Sequence, residues 1–290
     1  MNEVQGFMLE DSGIRGALVR LEETWRQVIA DHDYTPQVRT LLGQSVAATV
    51  LLASGMKERP SVSLQLQGEG ALKLLVVQCA DGLRVRGMAH YSSAQQEASA
   101  QKEPPLLSQG KLVVNLDTGR PNGFFQGIVP LSSSTLDGCL EDYFRQSEQL
   151  ATRLILKSNE KRVAGLLLQV LPGHGEELAD ADFEEVAACA ATVSTAELTE
   201  LAADELLPKL FAGRAIRLFS AKPVQHDCRC TPERLAGVVR MLGAEEVKTL
   251  LAEQGHVELT CEFCNRAFRY DDAQVQTILR GGSTESSLVH

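Results

Sequence analysis

The sequence is poor in aromatic residues and in positive charge. Aromatic residues make up only 5% of the 290, and there is a single tryptophan. A protein that stacks single-stranded nucleic acid on aromatic rings needs more of them. Lys and Arg number 28 against 38 Asp and Glu, which gives a formal net charge of −10. Since proteins contact phosphate mainly through Lys and Arg, this composition argues against nucleic-acid binding.

The sequence also lacks a recognisable targeting or membrane-spanning segment. Its most apolar stretches, Val46–Met56 and Val163–Leu171, are about ten residues long, whereas a membrane helix needs about 20. The opening residues, MNEVQGFMLEDSGIRG, contain no basic region followed by an apolar one, as a signal peptide would. We therefore expect a soluble, cytoplasmic protein without a membrane partner.

The apolar pattern predicts a mixed α+β N-terminal domain over residues 1–175. Helical spacing predicts one helix over 13–31 and a second that begins at Pro36 and runs to about Lys57. A further helix is predicted over Leu136–Leu150. Alternating or short apolar runs bounded by glycine predict strands at Ser61–Gln67, Leu72–Gln78, Leu83–Ala89, Lys111–Leu116, Phe124–Val129, Arg153–Lys157 and Gly165–Leu171. Because several connections are short, we expect an antiparallel-rich sheet.

The excess of negative over positive charge is confined to one segment. Between Val163 and Pro208 there is no Lys or Arg, but there are ten acids, which leaves 28 acids and 28 bases elsewhere. Helical apolar spacing within this segment predicts an amphipathic helical linker over residues 176–225. Such helices depend on docking their apolar face. The sequence leaves two interpretations open: an ordinary connection with a solvated acidic face, or a linker that is only marginally docked.

Four of the seven cysteines lie in two close pairs near the C-terminal end. Cys228 and Cys230 form C-x-C, and after thirty intervening residues Cys261 and Cys264 form C-x-x-C. Two such pairs joined by a loop suit a tetrahedral four-thiolate zinc site. We predict a small zinc domain over residues 226–290 with one Zn²⁺ per chain. His226 and His256 lie near enough in sequence to be considered as ligands, but four thiolates fill the shell.

The remaining cysteines are predicted to be structural, and the charge of the zinc domain argues against nucleic-acid binding. Cys79, Cys139 and Cys189 occur singly within apolar patterns and are predicted to be core residues. From His226 onward there are seven Lys and Arg against ten Asp and Glu, a net charge of −3. A nucleic-acid-binding zinc ribbon should be basic, so that reading is disfavoured.

Three functions remain compatible with the residues, and the first is a redox switch that controls binding. Oxidation of the thiolates to disulfides would expel zinc, unfold the domain and release the linker, whose apolar surface would then bind other apolar surfaces. We name Phe183, Val186, Leu198 and Leu201 as the candidate binding surface of the released linker. The alternatives are a thiol–disulfide oxidoreductase that uses Cys261 and Cys264, and an acidic zinc module that binds a protein partner in either redox state.

The sequence resembles the bacterial 33 kDa chaperonin, the redox-regulated heat-shock holdase family. The resemblance extends over almost the whole chain and is carried by these segments: IRGALVRLEETWRQVIADHDY (14–34), PQVRTLLGQSVAATVLLASGMK (36–57), VSLQLQGEG (62–70), CLEDYFRQSEQLATRL (139–154), GLLLQVLP (165–172) and the two cysteine pairs. Asn265 follows the last cysteine where glycine is common. Asparagine tolerates the left-handed backbone well, so we expect the turn to persist.

The resemblance implies a complete functional scheme. Cys228, Cys230, Cys261 and Cys264 would be the zinc ligands of an inactive reduced form. Disulfides Cys228–Cys230 and Cys261–Cys264 would belong to the active form, which binds unfolding client proteins during oxidative and heat stress. The family also implies dimerisation through the N-terminal domain, cooperation with ATP-dependent foldases and no enzymatic activity of its own.

Overall fold

The computed structural model describes residues 1–56, 61–92, 106–107, 109–171, 176–281 and 287–289. Contacts divide the chain into two units. The first comprises residues 1–29 and 33–227, and the second comprises residues 30–32 and 228–290. The acidic segment therefore belongs to the first unit, and the boundary falls immediately before Cys228.

The strands and helices of the described residues are numbered here in chain order. The strands are β1 (Asn2–Leu9), β2 (Ile14–Leu21), β3 (Ser61–Gly68), β4 (Leu72–Ala80), β5 (Arg84–Tyr91), β6 (Gly110–Asp117), β7 (Phe124–Pro130), β8 (Thr152–Ser158), β9 (Val163–Val170), β10 (Ile216–Leu218), β11 (Lys222–Pro223), β12 (Gln225–His226), β13 (Val257–Thr260), β14 (Ala267–Tyr270) and β15 (Ser287–Val289). The helices are α1 (Glu23–Ile29), α2 (Pro36–Ser54), α3 (Leu136–Tyr143), α4 (Glu176–Ala191), α5 (Thr195–Glu200), α6 (Ala203–Leu210), α7 (Pro232–Leu242), α8 (Ala244–Gln254) and α9 (Asp272–Leu279). A π-helical turn, Phe144–Glu148, extends α3.

Two six-stranded sheets form the first unit. The first sheet has the order β10-β1-β2-β9-β8, with β11 also paired to β1, and the second has the order β12-β5-β4-β3-β6-β7. All pairings are antiparallel except that of β12 with β5. The expected α+β class with antiparallel-rich sheets is confirmed.

Helix α2 forms the centre of the first unit. It contacts strands of both sheets, and thirteen of its nineteen residues are buried. A helix that is apolar on all sides is stable only inside a core. Gly43 allows the close approach, since a Cβ there would lie 2.5 Å from Cγ1 of Val163 on β9.

The helix expected over residues 13–31 is wrong in its first half. Ile14–Leu21 is strand β2, and only Glu23–Ile29 is helical. Strand β2 is buried on both faces, because α2 covers one and the linker helices cover the other. Such a strand carries apolar residues without alternation, and three of them fell by chance at helical spacing. Strand β1 was not predicted.

The linker helices α4, α5 and α6 pack on the outer face of the first sheet. Phe183, Val186, Ala190 and Leu198 belong to one buried cluster with apolar residues of β1, β2, β8 and β9, such as Leu166. Side chains alternate between the faces of a strand, so this cluster is separate from the core around α2. The linker is therefore docked through its apolar stripe.

The second unit is small, and its apolar core is thin. Residues of helices α7, α8 and α9 share one buried cluster with strands β13 and β14 of the three-stranded antiparallel sheet β13-β14-β15. Only nine of its described residues form the buried cluster, and Cys261 is one of them. Strand β14 and helix α9 were not predicted. Such a unit needs a cross-link or metal for independent stability.

None of the described helices is both long and apolar enough to cross a membrane.

Truncation inside α2 should destabilise the first unit strongly. Leu42 is fully buried, and removing its side chain leaves a cavity, so we expect Leu42→Ala to lower the free energy of unfolding by about 2–5 kcal/mol. Urea unfolding of the full chain measures this. Thr40→Ala, an exposed position two residues earlier, should change it by less than about 0.5 kcal/mol. Equal effects would contradict a central role for α2.

Candidate metal centre

Four cysteine sulfurs meet at one point of the second unit. The Sγ atoms of Cys228, Cys230, Cys261 and Cys264 all lie within 4.8 Å of one another. The Sγ–Sγ distances are 3.4 Å for Cys228–Cys230, 3.6 Å for Cys228–Cys261 and 3.4 Å for Cys230–Cys264. All four are free thiols rather than disulfides.

These distances fit a tetrahedral metal ion. Four thiolates bound to one ion by bonds of about 2.3 Å, the length typical of zinc, are about 3.8 Å apart. The three Sγ–Sγ distances given above are close to this value. The four-cysteine group is positioned to bind a metal ion.

Each pair of sulfurs is supplied by a separate local structure. Cys228 comes directly after β12 and Asp227, and Thr231, just after Cys230, caps α7 by accepting from the amide of Arg234. The second pair lies in a tight turn after β13, where the amides of residues 264 and 265 both donate to the carbonyl of Cys261 at 3.3 and 2.7 Å. The segment before α7 and the turn after β13 therefore present the thiols.

Asn265 completes the second turn as the sequence predicted. Its φ is +49°, a left-handed conformation that asparagine adopts more readily than most residues. Its side chain adds a contact that the sequence did not predict: Nδ2 donates to the carbonyl of Asp31 at 2.5 Å. His32 contacts the same turn, with Nδ1 3.2 Å from Asn265 Nδ2 and Nε2 3.3 Å from the carbonyl of Phe263. Residues separated by more than 200 positions thus support the turn.

The protein environment raises the pKa of two of these thiols, Cys230 and Cys261. Burial, followed by the hydrogen bond with Cys264, raises the pKa of Cys230 to about 11. The hydrogen bond with Cys228, followed by burial, raises the pKa of Cys261 to about 12, although the amides of Phe263 and Cys264 oppose that shift. A metal ion must therefore displace protons to bind. Since thiolates rather than thiols are nucleophilic, the bound metal also determines their reactivity.

The remaining cysteines and the two histidines lie outside this cluster. Cys79 and Cys139 are fully buried in the first unit, as predicted, and Cys189 on α4 is half-buried. His226 and His256 are absent from the metal-ligating group found among the described residues. His256 instead places Nδ1 2.9 Å from the carbonyl of Gln254.

The four candidate client-binding residues are covered in this structure. Phe183, Val186 and Leu198 are at most 4% exposed, and Leu201 packs half-buried against the same cluster. Binding of a client to these residues would therefore require undocking of the linker from the first sheet.

Arg20 on β2 forms a hydrogen bond with the linker, and this residue was not identified from the sequence. Its side chain is 4% exposed, and Nη1 donates to the carbonyl of Leu201 at the end of α5, while Nη2 lies 3.4 Å from the carboxylate of Glu3. Burial lowers the pKa of Arg20, and Glu3 opposes that shift. Because Arg20 and Leu201 are 181 positions apart, no local pattern could have revealed this contact.

Comparison with known proteins gives one consistent family. The family model described as "Hsp33 protein" matches residues 2–271. The chain is 39% identical over 273 residues to the "33 kDa chaperonin" of Shewanella woodyi, covering 94% of this chain and 93% of that protein. It is also 39% identical over 275 residues to the "33 kDa chaperonin" of Nitrosococcus oceani, covering 94% and 92%.

A solved structure supports the fold independently of sequence. The crystal structure of the 33 kDa chaperonin (heat shock protein 33 homolog) from Thermotoga maritima matches with a TM-score of 0.82. The match covers 97% of this chain and 99% of that chain at 19% identity. At that identity, the likeness concerns the fold alone.

Removing one sulfur should cost both the metal and the second unit. A four-thiolate site holds about one metal ion per chain. We expect Cys261→Ser to lower the metal content of the purified, reduced protein well below this value. Metal analysis by mass spectrometry, combined with proteolysis of the region after residue 227, measures both effects. Cys189→Ser, outside the cluster, is the matched control and should retain both. Full metal content in Cys261→Ser would contradict this assignment.

Proposed function

The chain belongs to the Hsp33 family of chaperones, and from that premise we propose that it is an ATP-independent holdase controlled by the redox state of its four clustered cysteines. The observation that carries this proposal is the position of the cluster. Four thiols converge in a unit whose buried core has only nine described members, and that unit follows the docked linker directly in the chain. A change at the sulfurs therefore changes the stability of the region most able to unfold.

Zinc is the metal that we propose for the reduced form, one ion per chain, held by Cys228, Cys230, Cys261 and Cys264. Four thiolates at tetrahedral spacing are a donor set that favours Zn²⁺. Structural zinc contributes about 10–16 kcal/mol of apparent binding energy in small domains. For a thin-cored unit, this binding energy is folding energy.

Oxidation would remove that stabilisation. Formation of each disulfide removes two electrons from two thiolates, and hydrogen peroxide accepts them together with two protons and is reduced to two water molecules. We propose the pairs Cys228–Cys230 and Cys261–Cys264, as the family resemblance implies. These disulfides close loops of only one and two intervening residues, so they constrain the unfolded chain little. The metal, by contrast, joins positions 33 residues apart. Local disulfides cannot replace that long-range cross-link.

Release of the linker would create the client-binding surface. The apolar stripe that contains Phe183, Val186, Leu198 and Leu201 would separate from the outer face of the first sheet. Both surfaces of the buried cluster would then be available to unfolding proteins. The residues from about 180 to 290 would form the unfolding part, and residues 1–175 would remain as the folded client-binding and dimerisation domain. Downstream, ATP-dependent foldases would receive the clients.

Exposed apolar residues on an edge strand support the proposed homodimer. Phe124, Phe125 and Ile128 are each more than half exposed on β7, the edge strand of the second sheet. An exposed apolar edge strand is typical of an association site, which supports a homodimer formed through the first unit.

Seven free cysteines need a reducing compartment, which supports a cytoplasmic location. We propose no nucleic-acid or membrane partner and no enzymatic activity.

Peroxide treatment at raised temperature tests the whole scheme. We expect the reduced, zinc-loaded protein to release zinc, to form two disulfides and to suppress aggregation of a thermally unfolding client. A zinc-binding dye, peptide mapping of disulfides and light scattering measure the three events. Cys189→Ser should behave like the wild type, and Cys261→Ser should be active without peroxide.

Different outcomes would select the rival functions. Zinc release without suppression of client aggregation would contradict the holdase. Catalytic turnover of a dithiol substrate by Cys261 and Cys264 would favour the oxidoreductase, and equal partner affinity in reduced and oxidised protein would favour the binding module. Disulfides that pair Cys228 with Cys261 would contradict the proposed release, because they would preserve the long-range link.

Loosening the linker by mutation should mimic part of the activation. Arg20→Met keeps most of the buried side-chain volume but leaves the carbonyl of Leu201 without its donor, a cost of about 1–3 kcal/mol. We expect the reduced variant to be cleaved more readily within α4–α6 and to hold clients partly without oxidant. Arg26→Met is the control, because its ion pair with Glu23 is exposed and contributes little. Unchanged proteolysis and client binding in Arg20→Met would contradict this role.

A further inference from the structure

A cavity of about 460 Å³ opens on the first sheet, on the face that packs against α2. Val4 and Ala17 belong to the core around α2, and side chains alternate along a strand, so Gly6 and Arg15 lie on that same face. Gly55, which follows the last residue of α2, lines the cavity. The volume of the cavity lies in the range of small-molecule binding sites. The cavity lies where α2 stops covering the sheet.

The floor of this cavity is apolar and made of small residues. Gly6 is opposite Ala17 in the register of β1 and β2, and Ala17 is opposite Leu167 in that of β2 and β9. Phe219, just after β10, forms a wall, since a Cβ on Gly6 would lie 3.3 Å from its ring. The glycine and the alanine leave an apolar trough that larger side chains would fill.

Arg15 forms the polar end of the trough, and a neutral amide holds it in place. Its Nε and Nη2 donate to Oε1 of Gln169 at 3.3 and 2.7 Å. Gln169 is only 3% exposed, and its Nε2 donates to Oγ1 of Thr152 at 3.1 Å. The amide orients the guanidinium without neutralising it. Two of the five N–H donors of the guanidinium are used, which leaves three for a ligand.

A second cation lines the same cavity, and the described lining contains no carboxylate. Lys222 on β11 is opposite Val4 on β1 and is exposed. Neither Lys222 nor Arg15 forms an ion pair with a described residue. Glu148 lines an adjoining cavity of about 180 Å³ that Arg15 also lines, but its carboxylate accepts from the hydroxyl of Tyr143 at 2.9 Å. The C-terminal end of α2 contributes a partial negative charge, which two full positive charges outweigh.

We propose that this cavity binds a single-chain anionic amphiphile, a fatty-acid carboxylate. The carboxylate accepts from the free N–H groups of Arg15, a charge-assisted contact of high geometric specificity. The hydrocarbon chain lies along Gly6, Ala17 and Leu167 towards Phe219, where its burial is favourable. The site belongs entirely to the first unit and does not rest on the proposed redox function.

Calorimetric titration of the reduced, metal-bound full chain with monomeric sodium decanoate tests this site. We expect saturable binding of one decanoate per chain, tighter by about tenfold or more than binding of decanol, which has the same chain without the charge. Arg15→Gln should reduce decanoate affinity to within about threefold of that of decanol, because Lys222 remains. Arg86→Gln is the matched control, because Arg86 makes the same contact with Gln78, at 3.0 and 2.7 Å, but does not line this cavity.

Further variants separate the head-group contact from loss of folding. Lys222→Gln, at an exposed position, should weaken decanoate binding by about threefold with an unchanged melting temperature. Gly6→Leu should fill the trough and abolish binding of both ligands. Equal affinity for decanoate and decanol, or unchanged affinity in Arg15→Gln, would overturn the proposal. Cosedimentation with phosphatidylglycerol vesicles without binding of monomeric decanoate would also overturn it, in favour of a membrane surface.

Discussion

The convergence of four sulfur atoms is the interaction on which the second unit depends. Nine of the described residues form the buried core, which is too small for independent stability, and the sulfurs come from two segments on either side of α7 and α8. A metal ion bound to them is a cross-link between distant parts of the chain. Two local disulfides would use the same four atoms to make short loops instead. Under our proposal, the redox chemistry thus changes the topology of the cross-link, and the loss of folding follows from that change.

The docking of the linker depends more on apolar contacts than on ion pairs. Its ten acids lie in a stretch without Lys or Arg, yet bases that follow this stretch within the linker pair with two of them. Arg214 pairs with Asp182 at 2.6 Å, and Lys209 pairs with Glu197 at 2.5 Å. The side chains of both pairs are partly exposed, so these pairs contribute little. Docking therefore depends mainly on the apolar cluster and on the contact from Arg20. Once released, the many unpaired acids would keep the segment in solution.

Local sequence patterns predicted most of the elements but not the long-range contacts. Helix α2 begins at Pro36, as predicted, because proline suits the first position of a helix. Strand β2 was misread because burial on both faces removes alternation, which is a tertiary effect. The cysteine spacing predicted the sulfur cluster. The contacts of Arg20 with Leu201 and of Asp31 with Asn265 join residues far apart in sequence, and no single-sequence signal marks them.

Hydrogen exchange of the backbone amides is the most direct test of the link between sulfur chemistry and linker docking. Exchange would be followed by mass spectrometry in the reduced, zinc-bound protein and after oxidation at raised temperature. Our account predicts that amides of residues 228–281 lose protection together with those of α4, α5 and α6, while β2, β9 and α2 remain protected. Loss of protection confined to residues 228–281, with the linker helices still protected, would contradict it.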